Sequence, residues 1–283
     1  MNRVTSNEKI VCGKHILDYG KKTLIMGILN ITPDSFSDGG SYVELDRAIA
    51  HAKEMVKNGA DIIDIGGEST RPGFEAVSVE EELKRVIPVI KGLSEEVDVP
   101  ISIDTYKAEV AKRSVEAGAT IINDIWGAKA DPNMAGVAAT YNVPIILMHN
   151  RNNLNYKDLI HDMIEDLMES VKIVKGAGVK DENIILDPGI GFAKTMDDNL
   201  RVMNHLDEFV ALGYPVLLGT SRKRFIGHVL DLPPNDRMEG TGATVCLGIE
   251  RGCQIVRIHD VLEISRMANM MDAMLGKGGF QNR

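Results

Sequence analysis

The sequence predicts an α/β fold, a single (β/α)8 TIM barrel with a short N-terminal β-hairpin, and three observations carry that expectation. Short, nearly unbroken apolar runs recur along the chain, as parallel strands buried on both faces require. Amphipathic stretches of helical period separate them. The length of 283 residues suits one such barrel with short additions, and 44% hydrophobic residues suffice for one large core. No Pro-rich stretch, charge block or low-complexity linker divides the chain. Residues 1–23 therefore read as a hairpin extension and 24–283 as the barrel, one domain overall.

In chain order, Lys9–Thr23 carries Gly13 and Gly20 among alternating residues and reads as a hairpin over the lower end of the barrel. The strand candidates are Leu24–Leu29, Ile62–Ile65, Ile101–Ile103, Ile121–Asp124, Pro144–Met148, Ile184–Leu186, Pro215–Leu218 and Ile255–Ile258. The helical stretches are Leu45–Asn58, Val79–Glu95, Lys107–Ala117, Leu159–Lys175, Asn199–Leu212, Gly240–Glu250 and Leu262–Met274. This alternation closes a barrel; a doubly wound open sheet is the competing architecture. The turns at Asn58-Gly59-Ala60, Ala117-Gly118-Ala119 and Leu212-Gly213-Tyr214 set a glycine where a left-handed cap ends each helix. Such turns lie on the lower face, so chemistry is expected after the strands.

Several function classes drop out. The formal charge is −9 with no Lys/Arg-rich block, which disfavours nucleic acid and anionic membrane surfaces as partners. Met1 to Lys14 lacks an apolar h-region and no run approaches a membrane span, so a soluble, cytoplasmic protein is expected. Cys12, Cys246 and Cys253 have no metal-ligand spacing, and their odd number argues against a disulfide framework. Neither a Gly-x-Ser-x-Gly elbow nor a His-Glu-x-x-His signature occurs. The run from Gly189 through Gly191 and Lys194 to Thr195 superficially suggests a nucleotide loop but has neither fingerprint spacing. The methionines near Met267–Met274 read as core filling.

Every strand delivers polar groups at its C-terminal end. Strand one runs into Asn30 and a loop to Gly40, and strand two into Asp64-Ile65-Gly66-Gly67-Glu68-Ser69-Thr70-Arg71-Pro72-Gly73. Later strands end at Asp104, Asn123-Asp124, His149, Asp187, the run Ser221-Arg222-Lys223, and Arg257-Ile258-His259-Asp260. Each residue alone has a plain structural explanation: a helix cap for Asp104 or Asp187, backbone satisfaction for Asn123, a surface cation for Lys223 or Arg257. Their joint placement on one face points to a ligand, because buried ionised groups need compensation. Two carboxylates, an amide that both donates and accepts, a lysine and a planar guanidinium suit a flat heterocycle with a cyclic guanidine edge and a carbonyl. Arg257, His259 and Asn30 near the opening suit an anion. The glycine-containing loops at 30–40 and 66–77 are candidate lids.

These residues resemble a family. The run Met26-Gly27-Ile28-Leu29-Asn30-Ile31-Thr32-Pro33-Asp34-Ser35-Phe36-Ser37-Asp38-Gly39 is similar to the first signature of the dihydropteroate synthases, and Gly59 to Gly73 is similar to the second. Ser102-Ile103-Asp104-Thr105, Ile122-Asn123-Asp124, Leu186-Asp187-Pro188-Gly189, Gly219-Thr220-Ser221-Arg222-Lys223 and Arg257-Ile258-His259-Asp260 extend the resemblance in order. It implies condensation of 6-hydroxymethyl-7,8-dihydropterin pyrophosphate with para-aminobenzoate, giving 7,8-dihydropteroate and pyrophosphate, by dissociative loss of pyrophosphate. By the same resemblance, Asp104, Asn123, Asp187 and Lys223 hold the pterin and Arg257 packs over its ring. Asn30 coordinates Mg2+ on the pyrophosphate, whose oxygens Arg257 and His259 bind. Phe36, Thr70, Arg71, Pro72, Ser221 and Lys223 shape the para-aminobenzoate site. Asp38, Lys223 and Asn30 are the implied catalytic groups. A homodimer and sensitivity to sulfonamide analogues are implied too. The alternatives are a methyltetrahydrofolate:corrinoid methyltransferase, a Schiff-base aldolase using Lys223, and a non-catalytic pterin-binding paralogue.

Overall fold

The structure, a computed structural model, describes residues 8–31, 41–68 and 77–278, with 41–44 described by backbone alone. It opens on an antiparallel hairpin, β1 (Lys9–Cys12) and β2 (His15–Asp18), registered Lys9↔Asp18 to Cys12↔His15. Eight parallel strands come next: β3 (Leu24–Asn30), β4 (Ile62–Gly66), β5 (Ile101–Asp104), β6 (Ile121–Asp124), β7 (Ile145–Met148), β8 (Ile184–Asp187), β9 (Leu217–Leu218) and β10 (Ile255–Ile258). Their order is β8-β7-β6-β5-β4-β3-β10-β9. A bridge between Leu186 and Val216 joins the two ends, with the Leu186 N–H donating to the Pro215 carbonyl at 2.9 Å. The ring is the expected (β/α)8 barrel, and the open-sheet alternative is set aside.

The helices are α1 (Ser41–Lys57), α2 (Val79–Glu96), α3 (Ala108–Glu116), α4 (Met134–Tyr141), α5 (Leu159–Gly176), α6 (Met196–Asn204), α7 (Leu206–Val210), α8 (Arg224–Leu230), α9 (Met238–Glu250) and α10 (Val261–Met274). Three points differ from the sequence expectation. The α4 stretch is mostly Ala, Val and Gly, so no polar face marks its period, yet Met134, Ala135 and Ala138 bury against the barrel. The expected helix Asn199–Leu212 starts earlier, at a capping box between Thr195 and Asp198, and breaks at His205, whose backbone (φ −120°, ψ 24°) is not helical. Helix α8, seven residues long, comes directly after the Ser221–Lys223 turn. The α3 helix ends as expected at Gly118 (φ +122°), where a Cβ would press on Ser94.

Strand periodicity divides the core in two. Outward residues such as Ile25, Ile63, Ile103, Ile122 and Leu186 pack under the helices. Inward residues Leu24, Met26, Ile62, Ile121, Ile146, Ile185, Leu217 and Ile255 form a separate cluster with Ile10, Cys12, Leu17 and Tyr19 of the hairpin segment. Those strand residues stand at or near strand starts, so the hairpin seals the lower end of the barrel. Its other face, Val11 and Ile16, is exposed. Among the described residues no helix is long and apolar enough to cross a membrane.

Candidate active site

The inward face changes character along each strand. Two residues beyond the sealed layer stand Asp64 on β4, Asn123 on β6, Asp187 on β8 and Arg257 on β10, with Asp104 ending β5 and Asn30 ending β3. A period of two keeps all of them on the barrel's inner face. They meet at the C-terminal mouth. Arg257 reaches across it: Nε donates to Asp64 Oδ2 at 2.6 Å and Nη2 to Asp104 Oδ2 at 2.6 Å. Asn123 Nδ2 donates to the same Asp64 oxygen at 3.2 Å. Asp64 Oδ1, Asp104 Oδ1 and Ser102 Oγ are buried without a hydrogen-bond partner. Buried acceptors left unmatched in this way are costly and call for donors from a ligand or water.

Electrostatics reflect this geometry. Burial pushes the Asp104 carboxyl up to about 7, with Arg257 pulling it back and Asp64 adding to the rise. For Arg257 burial opposes the charge, but Asp64 and Asp104 outweigh it and hold the guanidinium above its ordinary value. Asp187 is likewise raised by burial against the pull of Lys223; its Oδ1 accepts the Gly189 N–H at 2.7 Å. Burial lowers Lys223 to about 8, with Asp187 acting the other way. The Lys223 ammonium donates to the Ile190 carbonyl and lies 4.6 Å from the centre of the Phe192 ring.

At the rim, Ser221 Oγ accepts the His259 backbone N–H at 3.0 Å and lies 2.9 Å from His259 Nδ1. Arg222, at φ +57°, turns away and grips Asp260 with Nε–Oδ2 3.0 Å and Nη2–Oδ1 2.5 Å. That pair ties the turn carrying Ser221 and Lys223 to the end of β10. Gly66 separates Asn30 from Asp104: a Cβ there would stand 3.6 Å from Asn30 Oδ1 and 3.8 Å from Asp104 Oδ2. Asp124 is structural, its two oxygens accepting the Trp126 and Ala128 N–H groups at 2.8 Å each.

The structure thus brings Asn30, Asp104, Asn123, Asp187, Ser221, Lys223, Arg257 and His259 to one mouth. Phe36, Asp38, Thr70, Arg71 and Pro72 lie outside the described residues, as does most of both loops read as lids. Asp64 had no role in the sequence expectation and is the acceptor shared by Arg257 and Asn123. Its signal was present: an acid inside the run Ile62-Ile63-Asp64-Ile65 has to be paired to be buried. Among the described residues, the group with metal-ligand proximity is His161, Asp162 and Glu165, on the surface of α5 and not at the mouth.

A closed barrel with a carboxylate–guanidinium network and flanking cations at its C-terminal mouth defines an enzyme for a flat, polar heterocycle that carries an anionic group. The family model for pterin binding enzymes matches residues 26–259. The dihydropteroate synthase of Bacillus subtilis (strain 168) is 71% identical over 263 residues, 93% of this chain and 92% of the relative. A dihydropteroate synthase from Clostridium difficile, solved in the presence of pteroic acid, superposes with TM-score 0.89 at 54% identity, covering 91% of this chain and 98% of that one. The Xanthomonas albilineans enzyme in complex with 7,8-dihydropteroate gives TM-score 0.87 at 38% identity, over 94% and 98%. The chain belongs to the pterin-binding enzyme family and, within it, to the dihydropteroate synthases.

Proposed function

We propose that the chain joins 6-hydroxymethyl-7,8-dihydropterin pyrophosphate to para-aminobenzoate, releasing 7,8-dihydropteroate and pyrophosphate. The observation that carries this is the mouth itself, where Asp104 presents a buried, unpartnered carboxylate oxygen beside Asn123, Asp187 and Lys223. A pterin ring offers the matching N–H donors to Asp104 and Asp187 and a carbonyl and ring nitrogens to Asn123 and Lys223. Arg257 covers the ring; to do so Nη2 gives up Asp104 while Nε stays on Asp64.

Para-aminobenzoate is neutral at its amine near physiological pH and needs no strong base. Breaking the carbon–oxygen bond is the larger barrier. That bond breaks first, its electron pair leaving on pyrophosphate while the pterin ring feeds density to the methylene carbon. The amine nitrogen then forms the new bond and gives its proton to water. Arg257 and His259 meet the charge that grows on the leaving oxygens. Asn30 Oδ1 fits Mg2+, a hard cation that takes an oxygen ligand or two from protein and the rest from phosphates and water. Bound there, the ion would neutralise leaving-group charge. By the family resemblance Asp38 would stabilise the cation that forms at the methylene carbon, and Phe36, Thr70, Arg71, Pro72, Ser221 and Lys223 would shape the aryl site; of these only Ser221 and Lys223 are among the described residues.

The homodimer and the cytoplasmic setting belong to the same proposal. Exposed Val229 and Leu230 on α8 and Met270 and Met274 on α10 supply apolar surface for a second copy. The reaction is tested by measuring pyrophosphate release from the pterin pyrophosphate, with Mg2+, with and without para-aminobenzoate. Release matched one-for-one by dihydropteroate is expected. Pterin binding without turnover would overturn the catalytic reading.

A further inference from the structure

The connection from β8 to α6 carries three left-handed residues in five: Gly189 (φ +66°), Gly191 (φ +87°) and Ala193 (φ +46°). A path like this persists only where the surroundings over-determine it. The strongest constraint is a buried lysine. Lys194 Nζ donates to the carbonyl oxygens of Gly189 at 3.0 Å and Phe192 at 2.9 Å, and to His149 Nδ1 at 3.0 Å. Its ammonium form has three donors and here all three are engaged, while burial and the neighbouring Lys223 charge lower the group to about 7.

The third acceptor requires one imidazole tautomer. His149 carries its proton on Nε2, donating to Asp166 Oδ2 at 3.0 Å, so Nδ1 keeps its lone pair. Burial drives His149 down to about 3, with Lys194 pushing the same way, so the ring is neutral near pH 7. Arg151 Nε holds the same Asp166 oxygen at 2.5 Å, and its guanidinium lies 4.6 Å from the centre of the Tyr156 ring. The Tyr156 hydroxyl in turn donates to the Ala193 carbonyl at 2.7 Å. Lys194 therefore grips its own loop at Gly189 and Phe192 and Tyr156 grips it at Ala193, while His149, just past β7, and Asp166 on α5 hold the lysine through the imidazole.

What the loop presents is the pterin pocket. The Gly189 N–H holds Asp187 Oδ1, the Ile190 carbonyl receives the Lys223 ammonium, and the Phe192 ring lies against that same ammonium. All three residues that Lys194 binds contact Asp187 or Lys223, since the His149 N–H also donates to the Asp187 carbonyl at 2.9 Å. The run that superficially suggests a nucleotide loop thus turns its lysine onto backbone carbonyls, with no N–H left for a phosphate.

We propose that Lys194 is a positioning residue for pterin recognition, fixing the 189–193 loop through His149 and two carbonyls so that Asp187 and Lys223 meet the ring at set angles. The inference rests on the assignment of Asp187 and Lys223 to the pterin. Lys194→Met is compared with the wild-type protein for binding of 6-hydroxymethylpterin by calorimetry and for steady-state kinetics with both substrates. The pterin Kd and the KM for the pterin pyrophosphate should rise about tenfold or more, and by clearly more than the KM for para-aminobenzoate, whose site shares only Lys223. Unchanged pterin affinity, or equal losses for both substrates, overturns the proposal. If Lys194→Met does not fold, a pair of variants carries the test. His149→Asn keeps an oxygen for the lysine and His149→Phe does not, so Phe should bind the pterin more weakly; equal affinities overturn it. Asp187→Asn that binds the probe as well as wild type would instead remove the pocket assignment, and the inference with it.

Discussion

Asp64 and Asp104 share one guanidinium unequally. Asp64 accepts from both Arg257 and Asn123 through Oδ2, whereas Asp104 accepts from Arg257 alone; Oδ1 of each is unmatched. Burial raises the Asp104 carboxyl to about 7, and a ring N–H needs it ionised. Affinity for 6-hydroxymethylpterin should therefore weaken as pH falls from 8 to 6; a flat calorimetric profile would remove Asp104 as the acceptor. The stability contribution has the opposite sign. An acid with a raised folded-state pKa binds more protons folded than unfolded, so its contribution is full below the unfolded value near 4 and is lost as pH rises through about 7. Asp64→Asn keeps the shape but cancels the charge beneath Arg257. It should lower kcat/KM by about 10- to 100-fold without unfolding the protein, as changes behind a binding group do. Placement at the strand ends made Asp104, Asn123, Asp187 and Arg257 legible in the sequence. Asp64 stands at a strand end too, but nothing local reveals that it answers a cation from a strand 193 residues away.

At the scale of elements, apolar runs located all eight barrel strands because a buried parallel strand has no polar face to disguise it. Helices were legible only where two faces differ. Helix α4 has no such contrast, and the break at His205 depends on tertiary packing that the local pattern does not record. The β8–α6 connection has a constrained backbone, with left-handed residues at Gly189, Gly191 and Ala193. A Cβ on Gly189 would collide with the His149 carbonyl oxygen, at a φ of +66° that alanine adopts with strain. Gly189→Ala should lower Tm by roughly 4–12 °C in a thermal melt, from about 1–3 kcal/mol of backbone strain with the collision added. Wild-type stability in this variant would mean that the loop relaxes more freely than its hydrogen bonds indicate.

For the whole molecule, the barrel separates what stabilises from what recognises. The lower end is filled by Ile10, Cys12, Leu17 and Tyr19 against inward strand residues, on the opposite side of that layer from the mouth. Ile10→Ala should cost about 2–5 kcal/mol, read as a lower denaturation midpoint, while KM for both substrates stays at the wild-type value. A changed KM would show that the two ends communicate. Thr23 and Asp272 fasten the same end, with the Thr23 N–H to Oδ2 at 2.6 Å and its hydroxyl to Oδ1 at 2.8 Å, across 249 residues of sequence. The hairpin is synthesised before all eight barrel strands, yet the surface it rests on includes Leu217 and Ile255 of the last two. During translation its apolar face has no complete seat until the Ile255 strand has left the ribosome. A segment made before the barrel is thus among the last to finish docking, and in that interval chaperones or neighbouring chains have their longest opportunity to meet it.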